Sequence, residues 1–108
     1  MLEALLGNTT IEKILYCLSV YGDGYAKQMA DLFGIPVNGV QQQLKRLEDG
    51  GVLVSQLKGK TRLYQFNPRY AFLKELKLLL DRAIELLPES EIDKYYRKRT
   101  RPRRKGKP

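Results

Sequence analysis

Between Gln28 and Phe66 the chain reads QMADLFGIPVNGVQQQLKRLEDGGVLVSQLKGKTRLYQF, and few folds satisfy this order. An amphipathic run over Ala26–Phe33, with Met29, Ala30, Leu32 and Phe33 turned inward, predicts a helix. Gly34 stands where a left-handed C-cap belongs, and Pro36 fits the first turn of a new helix because its missing N–H costs nothing there. Two helices are therefore joined by a very tight turn, with the small side chain of Ala30 letting them approach. The next helix is expected from Pro36 to Glu48. Stepping 100° per residue puts Val37, Val40, Leu44 and Leu47 inward, with Asn38, Gln42, Lys45 and Arg46 opposite and Gln41 on the flank. Asp49–Gly50–Gly51 stops it, and Val52–Leu57 and Thr61–Phe66 read as strands joined by Lys58–Gly59–Lys60. Tyr64 and Phe66 share one strand face and are expected to pack on the helices, with Asn67–Pro68 closing the hairpin.

Helix, tight turn, helix and basic-tipped hairpin is the order of a winged helix-turn-helix. The fold class is mainly α with a small β-hairpin (α+β). Upstream, a helix is expected from Thr9, where Thr9 and Glu12 have capping-box spacing and Ile11, Ile14, Leu15 and Leu18 form a stripe. Tyr21–Gly22–Asp23–Gly24 breaks it. Downstream, a helix is expected over Tyr70–Leu87, with one stripe of Leu73, Leu76, Leu80, Ala83 and Leu87 and a second of Phe72, Leu79 and Leu86. A small domain has too little surface to cover both, so the second stripe favours a homodimer formed through this helix. The alternative is cover by Leu2–Leu6 of the same chain. Ser90–Tyr96 reads as a further helical turn.

At 108 residues the chain is one domain. Its net charge of +8 is unevenly placed. Lys94, Arg97, Lys98, Arg99, Arg101, Arg103, Arg104, Lys105 and Lys107 lie in the last fifteen residues with no acid among them, which leaves eleven basic residues against twelve acids in residues 1–93. The reading is a nearly neutral domain over 1–93 and a basic arm over 94–108, disordered until it meets a polyanion. Tyr95 and Tyr96 at its root are expected to pack back on the domain rather than stack on bases. With no histidine and Cys17 alone, no internal disulfide and no Cys/His metal site is expected. Cys17 reads as a small buried apolar residue. No apolar run approaches the ~18 residues of a membrane span, and no secretory signal is visible. The expectation is a cytoplasmic protein without membrane partner or cofactor.

Nucleic-acid recognition divides into phosphate contacts, which orient, and base-edge contacts, which discriminate. Asn38, Gln41 and Gln42 carry amides able to pair bidentately with adenine. Lys45 and Arg46 follow a turn later with reach for phosphate or guanine, and Gly39 leaves clearance for close approach. Lys58, Lys60 and Arg62 crowd the hairpin tip, suited to phosphate or the minor groove, although lysines also protect bare sheet edges. Lys27 is a weaker phosphate candidate. A polar helix face is common in itself. It gains meaning here from the turn that precedes it and the basic hairpin that follows. No nucleophile–base signature or phosphate-cradling loop points to an enzyme.

The segment LFGIPVNGVQQQLKRLEDGGVLVSQLKGKTRLYQFNPRYAFLKELKLLL resembles winged-helix transcriptional regulators of the ArsR-like superfamily, most of all small prokaryotic members sometimes found beside nucleotidyltransferase genes. The likeness runs from about Asn8 to Leu87 and is most specific over LKRLEDGGVLVS…GKTRLYQFNP. It implies a homodimer joined through terminal helices, with Asn38, Gln41, Gln42, Lys45 and Arg46 on the reading helix and Lys58, Lys60 and Arg62 on the wing. The Cys/His clusters of metal-sensing members are missing, so metal-released repression does not carry over. The leading expectation is a sequence-specific regulator on double-stranded DNA. The alternatives are a protein-interaction adaptor, with a nucleotidyltransferase as possible partner and only non-specific nucleic-acid binding by the arm, and RNA binding led by the arm.

Overall fold

The structure, a computed structural model, describes residues 1–97. Its central element is α2 (Thr9–Tyr21), which buries seven of the eight residues from Ile11 to Leu18. Around it stand α1 (Glu3–Leu6), β1 (Asp23–Tyr25), α3 (Ala26–Phe33), α4 (Val37–Asp49) and α5 (Leu73–Glu85). A short α6 (Glu89–Glu91) leads into a π-helical turn, Ile92–Tyr96, which also packs on α2. Strands β2 (Leu53–Lys58) and β3 (Thr61–Phe66) form the wing. One core joins these pieces: Ile14, Leu15 and Leu18 from α2, Met29 and Phe33 from α3, Val40 and Leu44 from α4, Leu53 and Tyr64 from the wing, and Leu80 from α5.

The expected start of α2 needs correction. Its N-cap is Asn8, whose Oδ1 accepts the Ile11 N–H at 2.8 Å. Glu12 does not reach back to close a box with Thr9. It is only 6% exposed and accepts hydrogen bonds from Tyr16 Oη and the Leu2 N–H, both at 2.7 Å. A carboxylate carried that deep is held by its donors, and the Leu2 contact pins α1 onto α2.

The sheet is larger than a hairpin. Asp23–Tyr25, whose first two residues read from sequence as part of a breaker, pairs antiparallel with β3, giving the order β1-β3-β2. Gly24 faces Tyr64 across this pair. A Cβ there would approach Met29 Cε at 3.1 Å and Leu18 Cδ2 at 3.8 Å, so glycine lets the strand lie flat on α2 and α3. In the wing β2 and β3 are in register from Leu53↔Phe66 to Lys58↔Thr61, which moves β2 one residue later than expected and leaves Gly59 and Lys60 as the turn. Tyr64 is buried and Phe66 half-buried on the helical side, as its alternation requires.

The turn between α3 and α4 takes the expected form. Gly34 is left-handed at φ 66°, and its N–H and that of Ile35 both return to the Ala30 carbonyl. Helix α4 buries Val40, Leu44 and Leu47 as expected, but not Val37, which is 37% exposed. Val37 is the first helical residue, ahead of the stretch that α2 and α3 cover.

Helix α5 starts three residues later than the sequence suggests. It buries Leu80 and Ala83 and rests Leu76 on the core. The second stripe stays bare, with Phe72 64%, Leu79 37% and Leu86 55% exposed. The amino-terminal segment does not supply the cover: α1 lies on α2, where Leu2 and Leu6 meet the core. At the far end Tyr96 is buried, edge-on to Tyr16 with centroids 5.5 Å apart, and Tyr95 lies 5.2 Å from Phe33. Tyr21 Oη donates to the Tyr95 carbonyl at 2.7 Å. Residues 94–97 of the expected arm thus belong to the folded body; the rest of it, 98–108, lies outside the described residues. No helix among the described residues is long and apolar enough to cross a membrane.

Two outcomes follow. Asn8→Ala should lower stability by about 1 kcal/mol in denaturant melts, while Thr9→Ala should change it by less than about 0.5 kcal/mol. If Thr9→Ala were the costlier change, the cap assignment would be wrong. Burial pushes the Cys17 thiol from its ordinary 9.0 up to about 11. A pKa raised in the folded state contributes stability that is full below the unfolded value and is lost as pH rises through the folded one. Between pH 9 and about 11 the protein should therefore lose about 2 kcal/mol that Cys17→Ala does not lose, measured as the difference between their pH–stability curves.

Candidate nucleic-acid interface

One side of the molecule carries the polar face of α4, the N-terminus of α3 and the wing. Val40, Leu44 and Leu47 bind α4 to the core, and the 100° spacing then fixes Asn38, Gln41, Gln42, Lys45 and Arg46 as exposed. Four of these, Asn38, Gln41, Gln42 and Lys45, line a shallow concavity of about 330 Å³. Beside it lies a groove of about 430 Å³ between α3, α4 and the wing, lined by Tyr25, Lys27, Val37, Gln41, Lys60 and Arg62, among others. Gln41 belongs to both, so the two hollows meet at one amide.

The structure therefore brings together Asn38, Gln41, Gln42, Lys45, Lys60 and Arg62. It adds Lys27, which the sequence ranked low. Lys58 and Arg46 stay outside both hollows: Lys58 ends β2 opposite Thr61, and Arg46 lies in the last turn of α4. Sequence reasoning missed Tyr25, Val37 and Thr61 as walls of the groove. Tyr25 and Val37 each sit at the very start of a helix, where a helical wheel assigns a face that no neighbour yet enforces.

Several of these side chains are already engaged. Lys45 Nζ donates to Asp49 Oδ2 at 3.0 Å, and that hydrogen bond and charge raise its pKa. Lys27 pairs with Asp31 at 3.3 Å across one turn of α3. Arg62 Nη1 donates to Ser55 Oγ at 3.2 Å, and the Ser55 hydroxyl donates onward to Glu48 Oε2 at 2.7 Å. This chain of bonds joins both wing strands to the end of α4. Tyr64 beneath it has its phenol pKa raised by burial first and by the Glu48 charge second. The exposed ion pairs are weak and screened by salt, and a phosphate oxygen can take the place of the carboxylate. By contrast, Asn38, Gln41 and Gln42 form no side-chain hydrogen bond among the described residues, which leaves their donors and acceptors directed to solvent.

The N-terminus of α4 adds a field of its own. Pro36 caps it without a side-chain bond, so the first N–H groups of the helix face outward with their partial positive charge. Gly39 lies one residue beyond Asn38, and a Cβ placed there would meet nothing within 4 Å. Glycine is thus not demanded by packing and weakens the helix by about 1 kcal/mol relative to alanine. What it provides is clearance on the exposed surface. No group of three or more His, Cys, Asp or Glu among the described residues could hold a metal ion.

No protein-family profile and no curated protein matches the chain. Solved structures do. The chain is similar to the AntR antimony-specific transcriptional repressor, at 24% identity over 83% of this chain and 77% of that one, with a TM-score of 0.65. It is also similar to YusO from Bacillus subtilis, at 17% identity over 82% and 70% with a TM-score of 0.58. A MepR-like protein complexed with pseudoligands matches at 14% identity over 84% and 70%, with a TM-score of 0.57. All three are winged helices, AntR of the ArsR/SmtB family and the other two of the MarR family. Likeness at these identities, spread over two families, speaks for the fold: the chain is a winged helix-turn-helix.

Proposed function

We propose that this protein is a sequence-specific, double-stranded DNA-binding transcriptional regulator that acts as a homodimer, with residues 1–97 as its winged-helix body. The observation that carries the reading is the meeting of two hollows at Gln41, one lined by unengaged amides and the other by cations. Asn38, Gln41 and Gln42 on the first half of α4 read base edges in the major groove. Lys27 at the start of α3, and Lys60 and Arg62 on the wing, hold the flanking phosphates. Lys45 exchanges Asp49 for phosphate, and Arg46 and Lys58 serve at the edges of the footprint. That AntR is a transcriptional repressor supports the assignment. Its antimony specificity does not transfer, because the single thiol here is buried and stands alone.

The bare stripe of Phe72, Leu79 and Leu86 supports dimerisation. A two-fold pair of α4 helices matches half-sites about 34–36 Å apart on one face of the duplex. The arm beyond residue 97 adds affinity that is blind to sequence, because each cation neutralising a phosphate releases counterions whatever the base.

Selection from random duplexes, with binding then measured at two salt concentrations, tests this function. A palindromic consensus is expected. Gln42→Ala should cost about 1–3 kcal/mol on it and little on scrambled duplex, whereas Lys60→Ala should weaken all sequences alike and reduce the salt slope by about 0.9. Unchanged preference after loss of both Gln41 and Gln42 would refute base reading by α4. The dimer is checked by mass: the wild type should be twofold at micromolar concentration and Leu79→Lys monomeric, and a monomeric wild type would remove the two-fold site from the proposal.

A further inference from the structure

A third hollow, of about 540 Å³, lies between the end of α2, β1 and α3, away from the amide face of α4. Cys17, Leu32 and the ring of Tyr21 give it an apolar floor, and Asp23, Gln28 and Asp31 complete its lining. Both carboxylates are exposed. Asp31 shares its charge with Lys27 at 3.3 Å, while Asp23 meets no cation among the described residues. An apolar floor under a carboxylate edge suits an arginine side chain: the aliphatic stem covers the floor, the guanidinium stacks on a tyrosine ring, and its donors face the carboxylates.

The chain carries such groups close by. Tyr21, in the lining, donates its hydroxyl to the carbonyl of Tyr95. The aromatic contacts of Tyr95 with Phe33 and of Tyr96 with Tyr16 fix that point, and Arg97 follows directly. Residues 98–108 then hold seven cations and no acid. Chain geometry sets the upper limit of reach for half of such a length at about 18 Å. A tether this short sets an effective concentration in the millimolar range, so contacts that are individually weak become populated.

We propose that the arginine-rich segment 98–104 of this same chain docks in the hollow edged by Asp23 and Asp31. The docking stands on this geometry alone. Its consequence, that part of the arm is withheld from nucleic acid until phosphates outcompete the two carboxylates, rests on the DNA-binding function proposed above.

Backbone amide NMR on the full chain tests the docking without DNA. Replacing Arg99, Arg101, Arg103 and Arg104 by glutamine should shift the resonances of Asp23, Gln28, Asp31 and Leu32 and leave the core unchanged. Raising salt about tenfold should move the wild type toward the same positions, as screening predicts. Unmoved resonances would overturn the proposal. So would a hollow that binds added arginine amide equally well in both proteins, which marks a site open to free cations and unused by the arm. Binding to a random duplex then tests the consequence. Asp23→Asn with Asp31→Asn should raise affinity about threefold in the wild-type arm beyond any gain in the glutamine-substituted arm. Equal gains would refute masking and reduce the effect to net charge. Failure of both proteins to bind any duplex would count against the DNA-binding function, with the NMR result still deciding the docking.

Discussion

Nearly everything in this molecule depends on the burial of α2. Seven of eight consecutive residues are withdrawn from water, so the helix has no polar face through its middle. Such a helix is stable only when covered all round, and each of its neighbours contributes cover that it would lack a reason to provide alone. The three-residue β1, the four-residue α1 and the π-helical turn are too short to persist by themselves. They hold their places because α2 offers apolar surface and, in Glu12, a carboxylate in need of donors. The amide face of α4 is an indirect product of the same demand, since it points outward only because Val40 and Leu44 are required inward.

The sequence was most legible where local chemistry and tertiary demand coincide. Helix α3 and strand β3 have the bounds read from their patterns, and Gly34 adopts the left-handed conformation its neighbours imply. The failures fall where a distant partner decides. Asp23–Tyr25 is a strand because β3 is there to pair with it, and Gly22 before it and Gly24 within it hide that possibility. Thr9 and Glu12 have the spacing of a cap, yet Glu12 is drawn inward by Tyr16 and Leu2, and Asn8 rather than Thr9 caps the helix. Val37 obeys the wheel in angle but lies ahead of the surface that would bury it.

The candidate site was legible in its residue types and less so in its grouping. Periodicity alone placed the amides of α4. That Gln41 would be shared with the wing groove, that Lys27 would line it, and that Lys58 would not, follow from how the sheet sits against α3 and α4. The bond chain from Arg62 through Ser55 to Glu48 was invisible, since it depends on the register of the hairpin and on how the wing sits against the end of α4.

Tyr25 ends β1 and caps α3 in the same residue, with its N–H held by the Gln28 side chain at 3.2 Å. No linker separates the sheet from the helix-turn-helix on that side, and the Glu48–Ser55–Arg62 bonds close the other. The wing and the two helices are thus braced at both ends, like the fixed jaws of a gauge. The width of the groove between α3, α4 and the wing is therefore set by the fold itself, and whatever occupies it must match that spacing.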